Sequence, residues 1–307
     1  MDVIEYVDEF VKRHAASGAI ERSTASGYAY TAARIRKALD PVSLDALGPR
    51  QIQNMDARLS RMGYSYSAIS LSNKLLLQAY NDAVACGLAA YNPALSVKGP
   101  KKRNKKPGIN YLDAHARRKL LEALDRMGLC ELSVASALAL FTSLRQGEVC
   151  GLRWGDVEFD SRLIWSRRAI GRAERGSYVK DCKDGKVKSV PMSDTLAAVL
   201  QRWRGASKAA RPSHYVLGGA SHLNPGSLGK RWKAFAEQEG IVGTEGRVCT
   251  FHDLRHTWAT VAVASGMDIK TVASVMGHAN AAMTLNVYAS ADPEAKRRAA
   301  GVIDAMI

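Results

Sequence analysis

The sequence predicts a mainly α-helical chain with a small β-sheet in its second half, an α+β arrangement in two domains. Three observations lead there. Apolar residues recur at helical spacing through the first 96 residues; a stretch of Lys, Gly and Pro with almost no apolar residue follows at 97–108; and two-residue alternation is confined to the region from Val157 to Pro191. The predicted division is therefore a helical domain at 1–96, a linker at 97–108 and a second domain at 109–307.

Composition bounds what such a chain can be. With 307 residues it is long enough for two cores, and its 47% hydrophobic and 7% aromatic content is that of an ordinary globular protein. No apolar run approaches the ~20 residues of a membrane span. The acidic start MDVIEYVDEF is not a signal peptide, so a cytoplasmic protein with no membrane partner is expected. Five scattered cysteines without a CxxC spacing give neither a disulfide framework nor a zinc site. The net charge of +15, from 44 Lys and Arg against 29 Asp and Glu, points to a polyanion, with nucleic acid ahead of a membrane surface.

In the first domain, Val3, Val7, Phe10 and Val11 form one helical stripe. Ser23 is placed to cap a second helix, whose inner face is Tyr28, Ala32, Ile35 and Leu39. Gly48-Pro49 opens a third with Ile52, Met55 and Leu59 inward, and a fourth runs from about Ser67 to Cys86 through Ile69, Leu76, Tyr80 and Ala83. The linker VKGPKKRNKKPG carries six cations, Lys98, Lys101, Lys102, Arg103, Lys105 and Lys106. Such a segment cannot form a core; it suits a strap across phosphates, where each neutralised charge releases counterions.

The second domain opens with a helix from Asp113 that turns Leu120, Leu121 and Leu124 inward, then a nearly all-apolar helix from Leu132 to Leu144. Arg145 emerges from that apolar element into a turn, with Glu148 three residues on. A first hairpin is expected around Asp160-Ser161. A second is expected around Asp184-Gly185, a strong type I′ signal flanked by YVKDCK and KVKSVP, with Lys183 and Lys186 facing each other at its tip. Helices at Thr195–Arg204 and Leu228–Glu239 follow. Thr250, with Asp253 three residues later, reads as a capping-box start that puts His252 and Arg255 in the first turn of a helix, one above the other, a natural place for an anion. Leu254, Trp258, Val261 and Ser265 share another face of that helix, and Gly266 stops it. The next helix opens at Asp268, buries Ile269, Val272, Ala273 and Met276, and ends at Gly277, leaving His278 just beyond the stop. A third helical run, Asn280 to about Ala289, contains Tyr288.

HDLRH at 252–256, Gly277-His278, Tyr288 ten residues beyond that His, and Arg145 upstream closely resemble the signature of the tyrosine recombinase, or phage integrase, family. The first domain, with Asn92, Pro93 and Ala94 closing it, is similar to that family's core-site-binding domain. The resemblance implies a two-domain, C-shaped clamp on double-stranded DNA, with residues 109–307 as its catalytic domain. It also implies the roles. Tyr288 attacks the scissile phosphate to give a 3′-phosphotyrosyl bond. Arg145 and Arg255 clamp the nonbridging oxygens, with Glu148 orienting the site. Lys183 protonates the departing 5′ oxygen, His252 assists proton transfer with the tyrosine, and His278 hydrogen-bonds the phosphate. Physics does not choose between Lys183 and Lys186; the family's spacing to Val190-Pro191 assigns Lys183. One departure from the pattern is Ser143, where the family commonly has Gly.

A covalent ester keeps the bond energy of the backbone, so no nucleotide cofactor is expected, and no Asp/Glu cluster suited to a metal pair lies near these positions. The stretch from Gly277 to Ala289 is closer in texture to temperate phage integrases than to chromosome-dimer resolvases. Integration and excision at core attachment sites are therefore expected, the alternatives being multimer resolution by the same mechanism or a non-catalytic DNA-binding regulator. With a helical domain from residue 2, no arm-binding domain is expected. Two sites and two strand exchanges imply a tetramer on DNA. The tail stripe Ala295, Ala299, Val302, Ile303 and Met306 must be covered, and the resemblance implies a neighbouring copy in cyclic exchange. A directionality factor is a further partner that the sequence leaves open.

Overall fold

The computed structural model describes residues 1–99, 108–173, 176–181, 187–207 and 210–277. It is mostly helical with two small antiparallel sheets, and its contacts divide at Lys106/Pro107 into two compact units.

The first unit is four helices around one core. Helix α1 (Val3–Ala16) starts on a capping box in which Asp2 accepts from Ile4 N and Glu5 reaches back to the Asp2 N–H. Helices α2 (Arg22–Arg36), α3 (Pro49–Arg61) and α4 (Tyr66–Ala85) complete it, α3 carrying its Pro at the first turn, where the missing N–H costs nothing. The expected stripes are the core: Val3, Val7, Phe10, Ala32, Ile35, Ile52, Met55, Leu59, Ile69, Leu76, Tyr80 and Ala83 are all buried. Ser23 does not cap α2. The helix begins two residues earlier than such a cap would set it, at Arg22, a better helix former than serine, and the Ser23 hydroxyl donates instead to Glu21 Oε2. Asn92 closes the unit by donating to Leu77 O at 3.0 Å and Asn81 Oδ1 at 2.7 Å while accepting from Ala94 N.

The second unit packs α5 (Ala114–Met127), α6 (Glu131–Thr142), α8 (Asp194–Ala206), α9 (Pro225–Gln238) and α10 (Phe251–Ala264) around one core. Helix α6 is its axis, with ten of its twelve residues buried. It stops at Thr142, two residues short of Leu144, because Ser143 turns into the left-handed region at φ 58°. Trp232 on α9 fills the space between α6 and α10, its ring against Phe235 and Phe251 and its indole N–H on Cys249 O at 2.8 Å. A short helix α7 (Gln146–Gly151) follows α6, and α11 (Ile269–Met276) packs on α10 through Ala259, Ala262, Val272 and Met276. Ile269 is only half-buried, and on α10 the inner face is Leu254, Thr257 and Ala259, while Val261 is exposed.

The strands are β1 (Val157–Glu158), β2 (Leu163–Ser166), β3 (Arg168–Arg172), β4 (Ser177–Asp181) and β5 (Lys188–Pro191). The hairpin around Asp160-Ser161 is present as β1–β2. The one expected around Asp184-Gly185 is not: β4 pairs with β3, β5 pairs with β2, and the two pairs lie in separate sheets. Burial takes β5 to β2, where Val190 covers Ile164, while β4 closes the nearer hairpin with β3, setting Val179 opposite Ile170. The turn residues 182–186 themselves lie outside the described residues. Among the described residues no helix is long and apolar enough to cross a membrane.

One buried charge in the first unit sets a pH dependence. Asp56 on α3 is 8% exposed; its Oδ2 accepts from Asn73 Nδ2 at 2.8 Å and its Oδ1 has no partner. Burial raises its pKa above the ordinary 3.8, and the Asn73 bond offsets only part of this. The fold thus favours the neutral carboxyl: stability is fully present below the unfolded pKa and is lost as pH rises through the folded value. Asp56→Asn is expected to slow amide hydrogen exchange along α3 and α4 at neutral pH and to flatten its pH dependence above that point; unchanged exchange would contradict it.

Candidate active site

The left-handed Ser143 sits between the buried end of α6 and Arg145, whose extended backbone caps α7. That turn makes the Arg145–Glu148 pairing reciprocal. The Arg145 N–H donates to Glu148 Oε2 at 2.9 Å and its Nη1 to Oε1, also at 2.9 Å. Its Nη2 reaches across to Gly277 O at 3.2 Å, the last described residue of the chain.

From the other side comes Arg255, on the second turn of α10. The capping box is present as expected: Thr250 Oγ1 accepts from Asp253 N at 3.2 Å and Asp253 Oδ2 from Thr250 N at 2.8 Å. Asn110 ties the same carboxylate down with a 3.1 Å bond. His252 and Arg255 do not present themselves alike, however. His252 is exposed and Arg255 is 2% exposed, with Nη1 on Ser143 O at 2.6 Å and Nη2 on Met276 O at 2.8 Å. The two guanidinium groups, 110 positions apart in sequence, thus reach consecutive carbonyls at the end of α11.

A third cation completes the cluster, and sequence reasoning missed it. Lys188 at the start of β5 donates from Nζ to Glu148 Oε2 at 2.8 Å. Its signal was available: two residues before buried Val190 in an alternating strand, it must share that inward face. His256 was also passed over; one turn after His252, it meets that ring edge-on at 4.8 Å between centroids.

The electrostatics follow from burial and these neighbours. Burial alone would push the Glu148 carboxyl up, but the Lys188 ammonium and the Arg145 N–H and guanidinium outweigh it and hold it below the usual range. Lys188 is pushed down, first by burial, against the pull of Glu148 and with the help of Arg255 and Arg145. Partial burial and the Arg255 guanidinium lower His252, while burial and His252 take His256 down to about 4. At neutral pH the site therefore holds three cations, one carboxylate and two neutral imidazoles.

Of the residues singled out in the sequence, Arg145, Glu148 and Arg255 come together around Met276 and Gly277, with His252 one turn before Arg255. Lys183, Lys186, His278 and Tyr288 lie outside the described residues, as do the tail stripe and Lys101, Lys102, Arg103, Lys105 and Lys106. Lys98 is described and is exposed. Ser143, the departure from the expected glycine, holds its left-handed conformation with its buried hydroxyl unpartnered. Ser143→Gly relieves both costs and is expected to raise stability by about 1 kcal/mol, seen as a higher denaturation midpoint. A lower midpoint would mean that the hydroxyl contributes packing that outweighs them.

Residues 110–295 match the model of the phage integrase family. The curated relatives include a tyrosine recombinase XerC from Shewanella amazonensis, 27% identical over 95% of this chain and 93% of its own length. A XerC-like tyrosine recombinase from Caldanaerobacter subterraneus is 27% identical over 81% of this chain and 68% of its own. Among solved structures, the Tn1549 transposon integrase in complex with a circular intermediate DNA superposes with a TM-score of 0.80 at 21% identity, over 98% of this chain and 99% of that one. A lambda integrase dimer bound to a COC′ core site gives 0.73 at 20% identity, over 94% and 95%. At these identities the structural likeness speaks to the fold.

Proposed function

The chain belongs to the phage integrase family, and from that premise we propose that it is a site-specific recombinase that cuts and rejoins double-stranded DNA through a 3′-phosphotyrosyl intermediate. The observation that carries this is the convergence of Arg145 and Arg255 on the end of α11, one residue before His278. Two planar, permanently charged forks set at one place are what an anionic phosphoryl group in transfer requires, and lysine would be a poor substitute for either.

The steps balance without an external energy source. The phenolic oxygen of Tyr288 bonds to phosphorus while the bond from phosphorus to the 5′ oxygen breaks. The phenol proton passes with the help of His252, whose pKa burial and then the neighbouring Arg255 lower, favouring the imidazole form that can accept it. Lys183 gives a proton to the departing 5′ oxygen, His278 hydrogen-bonds the phosphate, and Arg145 and Arg255 bind the nonbridging oxygens, with Glu148 fixing Arg145. Attack by a 5′ hydroxyl from another strand reverses each step, so the ester is conserved. No nucleotide or metal cofactor enters this scheme.

Residues 1–96 would bind the core site, 97–108 would follow the backbone as a basic strap, and 109–307 would carry the chemistry. Exchange of both strands at two sites takes four tyrosines, hence four copies on the DNA, linked by the apolar tail stripe of each docking on the next. Acting on attachment cores in the host bacterial cytoplasm, the protein would integrate and excise, with a directionality factor biasing the outcome. Resolution of multimers is the second reading, because the same cutting and rejoining carried out between directly repeated cores on one molecule would separate it into monomers.

The deciding experiment is a nicked suicide duplex carrying the core site. The native protein is expected to accumulate a covalent adduct and Tyr288→Phe none; on verified target DNA, no adduct with the native protein would leave a DNA-binding regulator. The strap has its own readout. Replacing Lys101, Lys102 and Arg103 with Ala should reduce the slope of log affinity against log salt by about 2 to 3, without changing the rate at which bound complex is cleaved. An unaltered slope would place those charges away from the DNA.

A further inference from the structure

Lys188 shares one acceptor with each arginine. Its Nζ bonds Glu148 Oε2 at 2.8 Å, and the other oxygen of that carboxylate takes Arg145 Nη1. The same Nζ stands 3.5 Å from Met276 O, the carbonyl on which Arg255 Nη2 rests. The pair is well shielded, with the Lys188 and Glu148 side chains 13% and 11% exposed. The close approach extends to the backbone: a Cβ on Gly277 would lie 3.2 Å from Lys188 Cδ and 3.8 Å from Arg145 Nη1.

We propose that Lys188 is a positioning residue for strand cleavage, which holds Glu148 and the end of α11 in place so that the Arg145 and Arg255 guanidinium groups keep a fixed separation. The inference rests on the recombinase reading above. Without the ammonium, Glu148 has Arg145 as its remaining cation in the cluster and draws that guanidinium toward itself and away from a phosphate. Met276 O loses its second cationic neighbour at the same time. A shielded Lys–Glu pair is a weak source of stability, because desolvation offsets most of its attraction. Its effect is directional: it fixes where the carboxylate, and therefore Arg145, can point.

The test uses the full chain and the attachment core recovered by sequencing the junctions that the native protein generates. Two nicked suicide duplexes are compared, one with an ordinary scissile linkage and one with sulfur in place of the bridging 5′ oxygen, which leaves as a thiolate without needing a proton. Lys188→Met is expected to bind the core as the native protein does and to form adduct about 100-fold more slowly on both duplexes, the scale of loss that misplacement of reacting groups brings. Lys188→Arg, which can still span Glu148 and Met276 O, is expected to recover most of that rate. Should Lys188→Met not fold, Lys188→Gln, which keeps a polar side chain at this shielded position but removes the ammonium, is expected to show the same loss of rate without loss of binding. Restoration of Lys188→Met or Lys188→Gln by sulfur would overturn the proposal, since Lys188 would then be the proton donor. So would an unchanged rate on the ordinary duplex, or a loss of binding as large as the loss of rate. Failure of the native protein to form any adduct is a separate outcome, and it would remove the recombinase reading and this inference with it.

Discussion

Everything around the site hangs on the Arg255 guanidinium. Taking a cation to 2% exposure costs several kcal/mol in lost hydration. The fold offsets that cost with carbonyls at two helix ends, Ser143 O after α6 and Met276 O at the end of α11. Both acceptors belong to last turns, where unsatisfied carbonyls and the negative pole of the helix dipole favour a positive partner. One side chain thus joins α10 both to the following helix α11 and to α6, whose Ser143 lies 112 positions upstream. Arg255 cannot be treated as a phosphate ligand alone, because removing it would take the guanidinium from Ser143 O at a buried junction and leave Met276 O with the longer Lys188 contact.

Arg145 stands in a different relation to the same junction. Its side chain is 44% exposed, and its bond to Gly277 O, at 3.2 Å, is longer than the Arg255 bonds. Of the two forks, Arg255 sets the frame and Arg145 has donors on the open side. Glu148 restrains it by accepting from both its backbone and its guanidinium, and Lys188 in turn keeps the carboxylate charged at any pH near neutral. On the proposed recombinase reading, a phosphate arriving here would meet donors already oriented, and little reorganisation would accompany the development of charge in the transition state.

What could be read in advance from the sequence was what is local. The capping box at Thr250, the stop at Gly277, the apolar stripes of the first unit and the emergence of Arg145 from a buried helix are all written within a few residues, and each is where it was expected. Pairing between distant segments was not legible. Asp184-Gly185 marks a turn locally, but β5 crosses to β2, where Val190 covers Ile164, and β4 is already paired with its neighbour β3. The alternation of β5 turns Lys188 inward, but its partner was not legible, because that acceptor is 40 positions away on a different element. Helical spacing alone also did not mark the inner face of α10. It grouped Leu254, Trp258, Val261 and Ser265 on one face, of which only Leu254 is buried, whereas the buried face runs through Thr257, whose hydroxyl accepts from Leu112 N.

The end of α11 shows why a glycine has to follow Met276. At φ 65° Gly277 adopts the left-handed conformation that closes the helix, which for a residue with a Cβ costs about 1 to 2 kcal/mol. A side chain there would in addition press on the Lys188 stem at 3.2 Å, and that stem is held by its ammonium on Glu148. Any shift of that stem bears on the carboxylate that positions Arg145. Backbone conformation and charge placement therefore constrain the same residue independently, and the residue they constrain is the one from which the chain continues toward His278 and Tyr288. A terminus tied by three cations to consecutive carbonyls gives the segment beyond it a fixed point of departure, whatever course that segment takes.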